Sequence, residues 1–360
     1  MKRKQKREKT RLCLLFGGRS AEHEVSLRSA SAIYSNIDRE KFDVISLYID
    51  TKGKWKKVSS PSLAMEELSK GTSFSFLPWR EKSLPLEIKA DIYFPVLHGP
   101  FGEDGTIQGF FEMADVPYVG AGVSASAIGM DKSLMKTIFK AHNLPVVEYT
   151  TISDFEWLER KGEILRKIRA EYPLPFFIKP SSLGSSVGIS KVKDYSFTEE
   201  AINLALSFDR KILVEEGITG REFECSVLGN EHPEASLPGE IIPHREFYDY
   251  RDKYIEGKTS FKIPAELPEE TVREIQHLSL QAYKAVDCSG MARVDFLMDG
   301  KKSLLYLSEI NTIPGFTEIS MYPKLWEVSG LAFPHLLERL IELGFQRYRA
   351  KKKKLNHYTP

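Results

Sequence analysis

Residues 176–190 read FFIKPSSLGSSVGIS, and this stretch decides the fold. Phe176, Phe177 and Ile178 form a short apolar run of strand character that delivers Lys179 to its end. Pro180 closes the run. The ten residues after it are mostly Ser and Gly, small enough for backbone N–H groups to fold over phosphate oxygens. In a Walker A loop the lysine follows the glycines, whereas here it precedes them, so this is a different phosphate grip. A lysine beside a Ser/Gly flap points to a nucleotide; the competing reading is an unstructured Ser/Gly connector.

Working outward, the N-terminal side alternates strand and helix. Arg11 to Phe16 is apolar and ends at Gly17-Gly18, a helical pattern runs from about Val25 to Ile37, and a second strand covers Phe42 to Ile49. Ile92 to Leu97 is another apolar run, followed by a Gly-rich loop and the helical stretch Thr106 to Met113. Such alternation predicts a parallel sheet with its chemistry on the loops at the strand C-termini. A helix is expected near Asp131 to His142, a long one at about Pro268 to Val286, and a last one near Phe333 to Leu343. Strands are expected at Met291 to Leu297 and Ser303 to Glu309. Changes of pattern place boundaries near 125 and 220, giving segments 11–125, 126–220 and 221–346 between basic tails at 1–10 and 347–360.

The composition excludes several classes. At 360 residues and 42% hydrophobic content the chain can bury its own cores, and its three cysteines, Cys13, Cys225 and Cys288, form no CxxC pair. That argues against a disulfide framework or a zinc site and fits a reducing cytoplasm. No run approaches the roughly 18 to 20 apolar residues of a membrane span, and the basic N-terminus lacks the apolar stretch of a signal peptide. Residues 2–11 carry seven Lys/Arg and one Glu and residues 347–354 carry six more, so a net charge of +1 conceals an acidic body with basic ends. Those ends read as solvated tails, with no nucleic-acid or membrane role.

Further motifs carry chemistry. GGRSAEHEVS (17–26) places two glycines after a strand and Glu22 in the loop, where it can hold an ammonium group, although a plain Gly-Gly turn before a helix serves as well. His23 and Glu24 read as solvated. HGPFGEDGTIQG (98–109) is too constrained for a simple connector; a tight turn capped by Asp104 is the alternative, and His98 reads as a positioning residue. The acidic edge at Glu215, Glu216 and Glu222 suits adenine and ribose, or is a solvated charge cluster. Strand alternation puts Arg293 and Asp295 on one face, and Glu309 and Asn311 on one face of their own strand. Asp, Glu and Asn oxygens on neighbouring strands make a hard-cation site when a triphosphate supplies the other ligands.

In order and spacing, AEHEVS, HGPFGEDG, GMDK, the Lys-Pro strand with GSSVGIS, FYDYRDKY, ARVDF and EINTIPGFTEIS resemble the D-alanine–D-alanine ligases from Gly17 through Ser320. The resemblance implies the ATP-grasp fold: an N-terminal α/β domain followed by central and C-terminal parts, α+β in character, that sandwich ATP. It implies ATP-dependent joining of two D-alanines through a D-alanyl phosphate, for peptidoglycan and cell-wall synthesis. It also implies two magnesium ions (manganese being an alternative) and a cytoplasmic homodimer. By position it assigns Lys132, Lys179, Ser186 and Lys253 to the ATP phosphates and Glu215, Glu216, Ile218 and Glu222 to adenosine. Asp295, Glu309 and Asn311 match the metal ligands. Glu22 matches the residue that holds the first D-alanine, in a triad with Ser185 and Tyr254. Arg293 and Gly315 match the oxyanion hole, and Ser320 the contact to the second carboxylate. Phe247 to Tyr254 resembles a closing loop, and Tyr254 favours an amine acceptor; a D-alanyl-D-lactate or other carboxylate–amine ligase is the alternative. Leu183 and Ser308 depart from the usual pattern without threatening the likeness.

Overall fold

The computed structural model describes residues 8–62, 65–74, 89–243 and 259–354. The first part of the chain runs β1 (Thr10–Gly17), α1 (His23–Asn36), β2 (Phe42–Ile49), β3 (Trp55–Val58), α2 (Met65–Ser69), β4 (Thr72–Phe74), β5 (Ile92–Val96), α3 (Thr106–Met113), α4 (Val123–Met130) and α5 (Lys132–Ala141). A middle part holds β6 (Tyr149–Ser153), α6 (Asp154–Glu171), β7 (Phe176–Pro180), β8 (Ser190–Val192), α7 (Thr198–Leu206) and β9 (Lys211–Glu216). The last part holds β10 (Gly220–Gly229), β11 (Glu234–Ala235), β12 (Gly239–Ile242), β13 (Ser260–Lys262), α8 (Glu269–Ala285), β14 (Gly290–Asp299), β15 (Leu305–Asn311), α9 (Met321–Val328) and α10 (Phe333–Lys352).

Three sheets result. The first has the order β4-β3-β2-β1-β5. Its centre, β2-β1-β5, is parallel as the alternation predicts, but β3 and β4 extend it antiparallel. Leu12 to Phe16 of β1 are all buried, because helices cover both faces. Leu12, Leu14 and Phe16 pack with α1 and α10, whereas Cys13 and Leu15 share a cluster with Ile107 and Phe111 of α3. The second sheet, β6-β9-β7-β8, is antiparallel and carries Lys179. The third has the order β13-β12-β10-β14-β15 with β11 beside β10, also antiparallel. This mixture of α/β and α+β layers is the architecture the resemblance implies.

Chain order and core membership part company at two places. Leu336, Leu337, Leu340 and Ile341 of α10 lie in the core of the first sheet, each such side chain adding about 1.5–3 kcal/mol by burial. Met135 and Phe139 of α5 pack instead with Phe223, Val294 and Ile310 of the third sheet.

The basic C-terminal segment also departs from the expected solvated tail. α10 continues to Lys352, nine residues past the expected end, because its cations find partners. Arg347 lies over the Tyr118 ring at 4.0 Å and donates to Gly120 O and to Ser289 Oγ. Lys351 and Lys352 pair with Glu112 and Asp115 beside the C-terminus of α3. No described helix is long and apolar enough to cross a membrane.

Candidate active site

The strand end that carries Lys179 faces the start of α5. Asp131 caps that helix, accepting from the Ser133 and Leu134 amides at 3.1 and 3.2 Å. Its carboxylate also takes a hydrogen bond from Ser181 Oγ at 2.7 Å and an ion pair from Lys211 of β9. These contacts lock the N-terminus of α5 onto the base of the Ser/Gly flap, which fixes Lys132. The Lys132 amide donates to Ser181 O at 2.9 Å, and Lys132 Nζ donates to Leu183 O at 2.7 Å and lies 3.5 Å from Glu309 Oε2. Within the flap, Ser185 and Ser186 have φ of +52° and +59°, two consecutive non-glycine residues in the left-handed region.

Lys179 Nζ reaches Glu215 Oε2 on β9 at 2.7 Å. Burial opposes charge on both groups. Lys136 and Lys179 nevertheless overcome it for Glu215 and hold its carboxyl at about 2, while Glu215 keeps the Lys179 ammonium above its ordinary value. Glu215 is therefore an anion and an acceptor. Beyond it, the chain passes Glu216 and Ile218 into Glu222 on β10; Gly217 is required there, since a Cβ would lie 2.2 Å from Pro175 O.

Glu22 is the N-cap residue of α1, yet its side chain caps nothing. It turns instead to the flap, where Ser185 Oγ donates to Glu22 Oε1. A Cβ at Gly99 would lie 2.9 Å from Glu22 Oε2, and one at Gly184 3.2 Å, so glycines on two loops, after β5 and after β7, leave room for this carboxylate. Glu22 and Ser185 thus meet; Tyr254 and Lys253, with the whole of Phe247 to Tyr254, lie outside the described residues.

His98 joins this loop to the far side of the site. Its Nδ1 donates to Ile313 O at 3.1 Å, and Ser29 Oγ donates to Nε2 at 3.3 Å while accepting from the Phe316 amide at 3.1 Å. Burial depresses the His98 pKa, in keeping with a neutral ring that donates at Nδ1. Gly315, within the segment so held, approaches Ser320: a Cβ there would lie 2.7 Å from Ser320 Oγ, which accepts from the Thr317 amide at 3.0 Å.

On the third sheet, Arg293 pairs across from Asn311 and Asp295 from Glu309. The register slips after Asp295, because Phe296 pairs with Leu307 and leaves Ser308 as an extra residue. This bulge reverses the facing of β15. Leu305 and Leu307 are buried on the core side, as is Ile310 after the slip, so Glu309 and Asn311 turn to the site. Arg293 donates to both Asp295 oxygens at 2.7 and 2.6 Å and lies 3.1 Å from Glu224 Oε2 on β10. Burial works against its charge, but Asp295 and Glu224 raise its pKa well above the usual value.

The electrostatics show convergence. The buried Glu103, which accepts from the Gly99 amide at 2.6 Å, feels the charges of Glu22, Arg293 and Glu309 together. Burial and the Glu22 charge push its pKa well above the ordinary carboxylate value. Among the described residues no group of three or more His, Cys, Asp and Glu forms a metal cluster. Asp295, Glu309 and the Asn311 amide nevertheless supply hard oxygen donors at adjoining register positions, a set that fits a magnesium ion completed by phosphate oxygens.

Residues 11–121 match the model of the D-ala D-ala ligase N-terminus and residues 138–342 that of the D-ala D-ala ligase C-terminus. The chain belongs to the D-alanine–D-alanine ligase family. It is 50% identical to the D-alanine–D-alanine ligase of Solibacter usitatus over 95% of this chain and 98% of the relative, and 47% identical to that of Acetivibrio thermocellus over 95% and 97%. The solved D-alanine–D-alanine ligase of Coxiella burnetii superposes with a TM-score of 0.84 at 38% identity, covering 96% of this chain and 97% of that one. The VanG D-Ala:D-Ser ligase of Enterococcus faecalis does so with 0.82 at 36%, covering 94% and 100%.

Three residues of this ligase escape a sequence reading. His23, expected in solvent, is buried, donating to Gly18 O at 2.7 Å and accepting from Tyr48 OH at 3.3 Å. Its signal was the apolar Val25 to Ile37 pattern, since His23 falls one turn before Leu27 on the buried face. Glu224 lies two residues from Glu222 on β10, and only the β10–β14 register, which sets it opposite Asp295, brings it within reach of Arg293. Lys136 lies one helical turn after Lys132 on α5, and that i, i+4 spacing was the available clue.

Proposed function

We propose that this ATP-dependent, ADP-forming ligase joins two D-alanines to D-alanyl-D-alanine for peptidoglycan synthesis. The observation that carries the reading is the meeting of Glu22 with Ser185 of the flap, which sets a binding carboxylate for a small amino acid beside the loop suited to phosphates. A carboxylate and an amine do not condense in water, because oxide would have to leave. In the reaction we infer, a carboxylate oxygen of the first D-alanine attacks the γ-phosphorus of ATP, the bond to the β-phosphate oxygen breaks, and ADP leaves. The amine of the second D-alanine then attacks the acyl phosphate carbonyl, loses a proton, and inorganic phosphate departs with the oxygen it took.

Each residue has a part in this scheme. Lys132 and Lys179 neutralise phosphate charge under the Ser181 to Ser190 flap, with Ser186 supplying a hydroxyl and an amide. Glu215, Glu222 and the Glu216 to Ile218 backbone hold adenosine. Glu22 holds the first ammonium group. Arg293 and the Gly315 amide stabilise the tetrahedral oxyanion, and Ser320 contacts the second carboxylate. Asp295, Glu309 and Asn311 would hold two magnesium ions, which when bound offset charge on the triphosphate. Lys253 and Tyr254 complete the phosphate grip and the triad. A homodimer and a cytoplasmic setting accompany this reading.

Acceptor choice is the part most open to test, since one structural relative is named for D-serine. Phosphate release should proceed with D-alanine alone and yield D-alanyl-D-alanine as the product by mass spectrometry. Adding D-lactate or D-serine should leave the dipeptide dominant. A mixed product dominated by either competitor would replace D-alanine as the second substrate.

A further inference from the structure

Lys136 has no part in the scheme above, yet it is 1% exposed, among the most deeply buried large side chains of the described residues. It projects from α5 one turn after Lys132. Its Nζ lies 3.4 Å from Glu215 Oε1, while Lys179 holds Oε2 of the same carboxylate at 2.7 Å. Glu215 is itself 3% exposed, so two cations from different elements enclose one buried anion.

The two cations are not equivalent. Lys179 stands at a strand end beside the flap, where a triphosphate draws it, whereas Lys136 lies within the packed face of α5 among Met135 and Phe139. If Lys179 alone balanced Glu215, its turn toward a phosphate would leave the carboxylate buried without a counter-charge, which is costly. The same loss would remove the reason for Glu215 to remain an acceptor.

We propose that Lys136 is a positioning residue for the nucleotide: it is the standing counter-ion of Glu215, which keeps that carboxylate charged and aimed at adenosine while Lys179 serves the phosphates. The inference rests on the adenosine reading of Glu215. Two conditions set its geometry. Asp131 ties the helix that carries Lys136 to Lys211 of β9, and β9 carries Glu215 between β6 and β7, so both partners are held to one strand without the flap. The depressed pKa that Lys136 and Lys179 impose on Glu215 agrees with this arrangement.

The test compares Lys136→Met, Lys136→Arg, Glu215→Gln and the double variant Lys136→Met/Glu215→Gln in the full chain, with KM for ATP, kcat and the ATP dissociation constant measured separately. Lys136→Met should raise KM and the dissociation constant for ATP by about tenfold or more, with kcat at saturating ATP changed by no more than about threefold. Lys136→Arg should recover part of the loss. The double variant should bind ATP no worse than Glu215→Gln alone, because the two effects share one cause. It removes the buried carboxylate that Lys136→Met leaves to Lys179 alone, so it reports even where Lys136→Met is poorly folded. A merely structural lysine would lower the melting temperature in every Lys136 variant and leave ATP affinity unchanged. ATP affinity insensitive to Glu215→Gln would remove the adenosine reading itself. Affinity sensitive to Glu215→Gln but not to Lys136→Met, or additive losses in the double variant, would overturn the role of Lys136 and leave that reading intact.

Discussion

Arg293→Ala should lower kcat for dipeptide synthesis by about 100- to 1000-fold and leave ATP binding within a few-fold of the parent, the loss typical of an oxyanion donor. The geometry makes the effect large. Arg293 is the cation between two carboxylates on adjoining strands, paired with both oxygens of Asp295 and with Glu224. That grip fixes the guanidinium plane before substrate arrives, so no reorganisation is needed when negative charge develops on the carbonyl oxygen. Arg293→Lys separates charge from geometry. A lysine keeps the charge but cannot satisfy the fork, so it should recover only a small part of the rate. Steady-state kinetics with calorimetric ATP titration makes the measurement, and near-normal synthesis by the alanine variant would refute the role.

Glu22→Gln is the second large effect. The loss should fall on the first D-alanine, whose kcat/KM drops by about 100-fold, as expected when one partner of a hydrogen-bonded charge pair is removed at a cost of about 2–5 kcal/mol. The amide is nearly isosteric, so the fit between Gly99 and Gly184 is kept and Ser185 still has an oxygen to donate to. ATP affinity should therefore hold. Saturation curves for D-alanine separate the two binding events. Unchanged affinity for the first D-alanine, or a loss confined to ATP, would move Glu22 out of the amino-acid pocket.

The legible part of this fold was what repeats along the chain. Alternation located β1, β2 and β5, and helical periodicity gave α3 to the residue. Parallel pairing of the three central strands followed, but β3 and β4 are short and broken by Lys56-Lys57 and Thr72-Ser73, too weak a pattern to announce an antiparallel extension. Motif order was enough for the family. Geometry that depends on pairing was not legible. The slip at Ser308 is one residue, and without it Glu309 and Asn311 would share the buried face of Leu305 and Leu307. Lys136, Glu224 and His23 became meaningful only through partners far away in sequence: Glu215, Arg293 and Tyr48. The C-terminal cations misled for the same reason. A run of like charges reads as solvated until the acidic end of α3 is seen beside it.

The central claim is that ATP activates the D-alanine carboxylate by phosphorylating it. D-Alanine labelled with oxygen-18 in both carboxylate oxygens tests this directly, with the released phosphate analysed by mass spectrometry. One oxygen-18 should appear in each phosphate formed, and the dipeptide should lose one label from the acyl half. Unlabelled phosphate accompanying labelled dipeptide would contradict the account, because the carboxylate oxygen would never have been bonded to phosphorus.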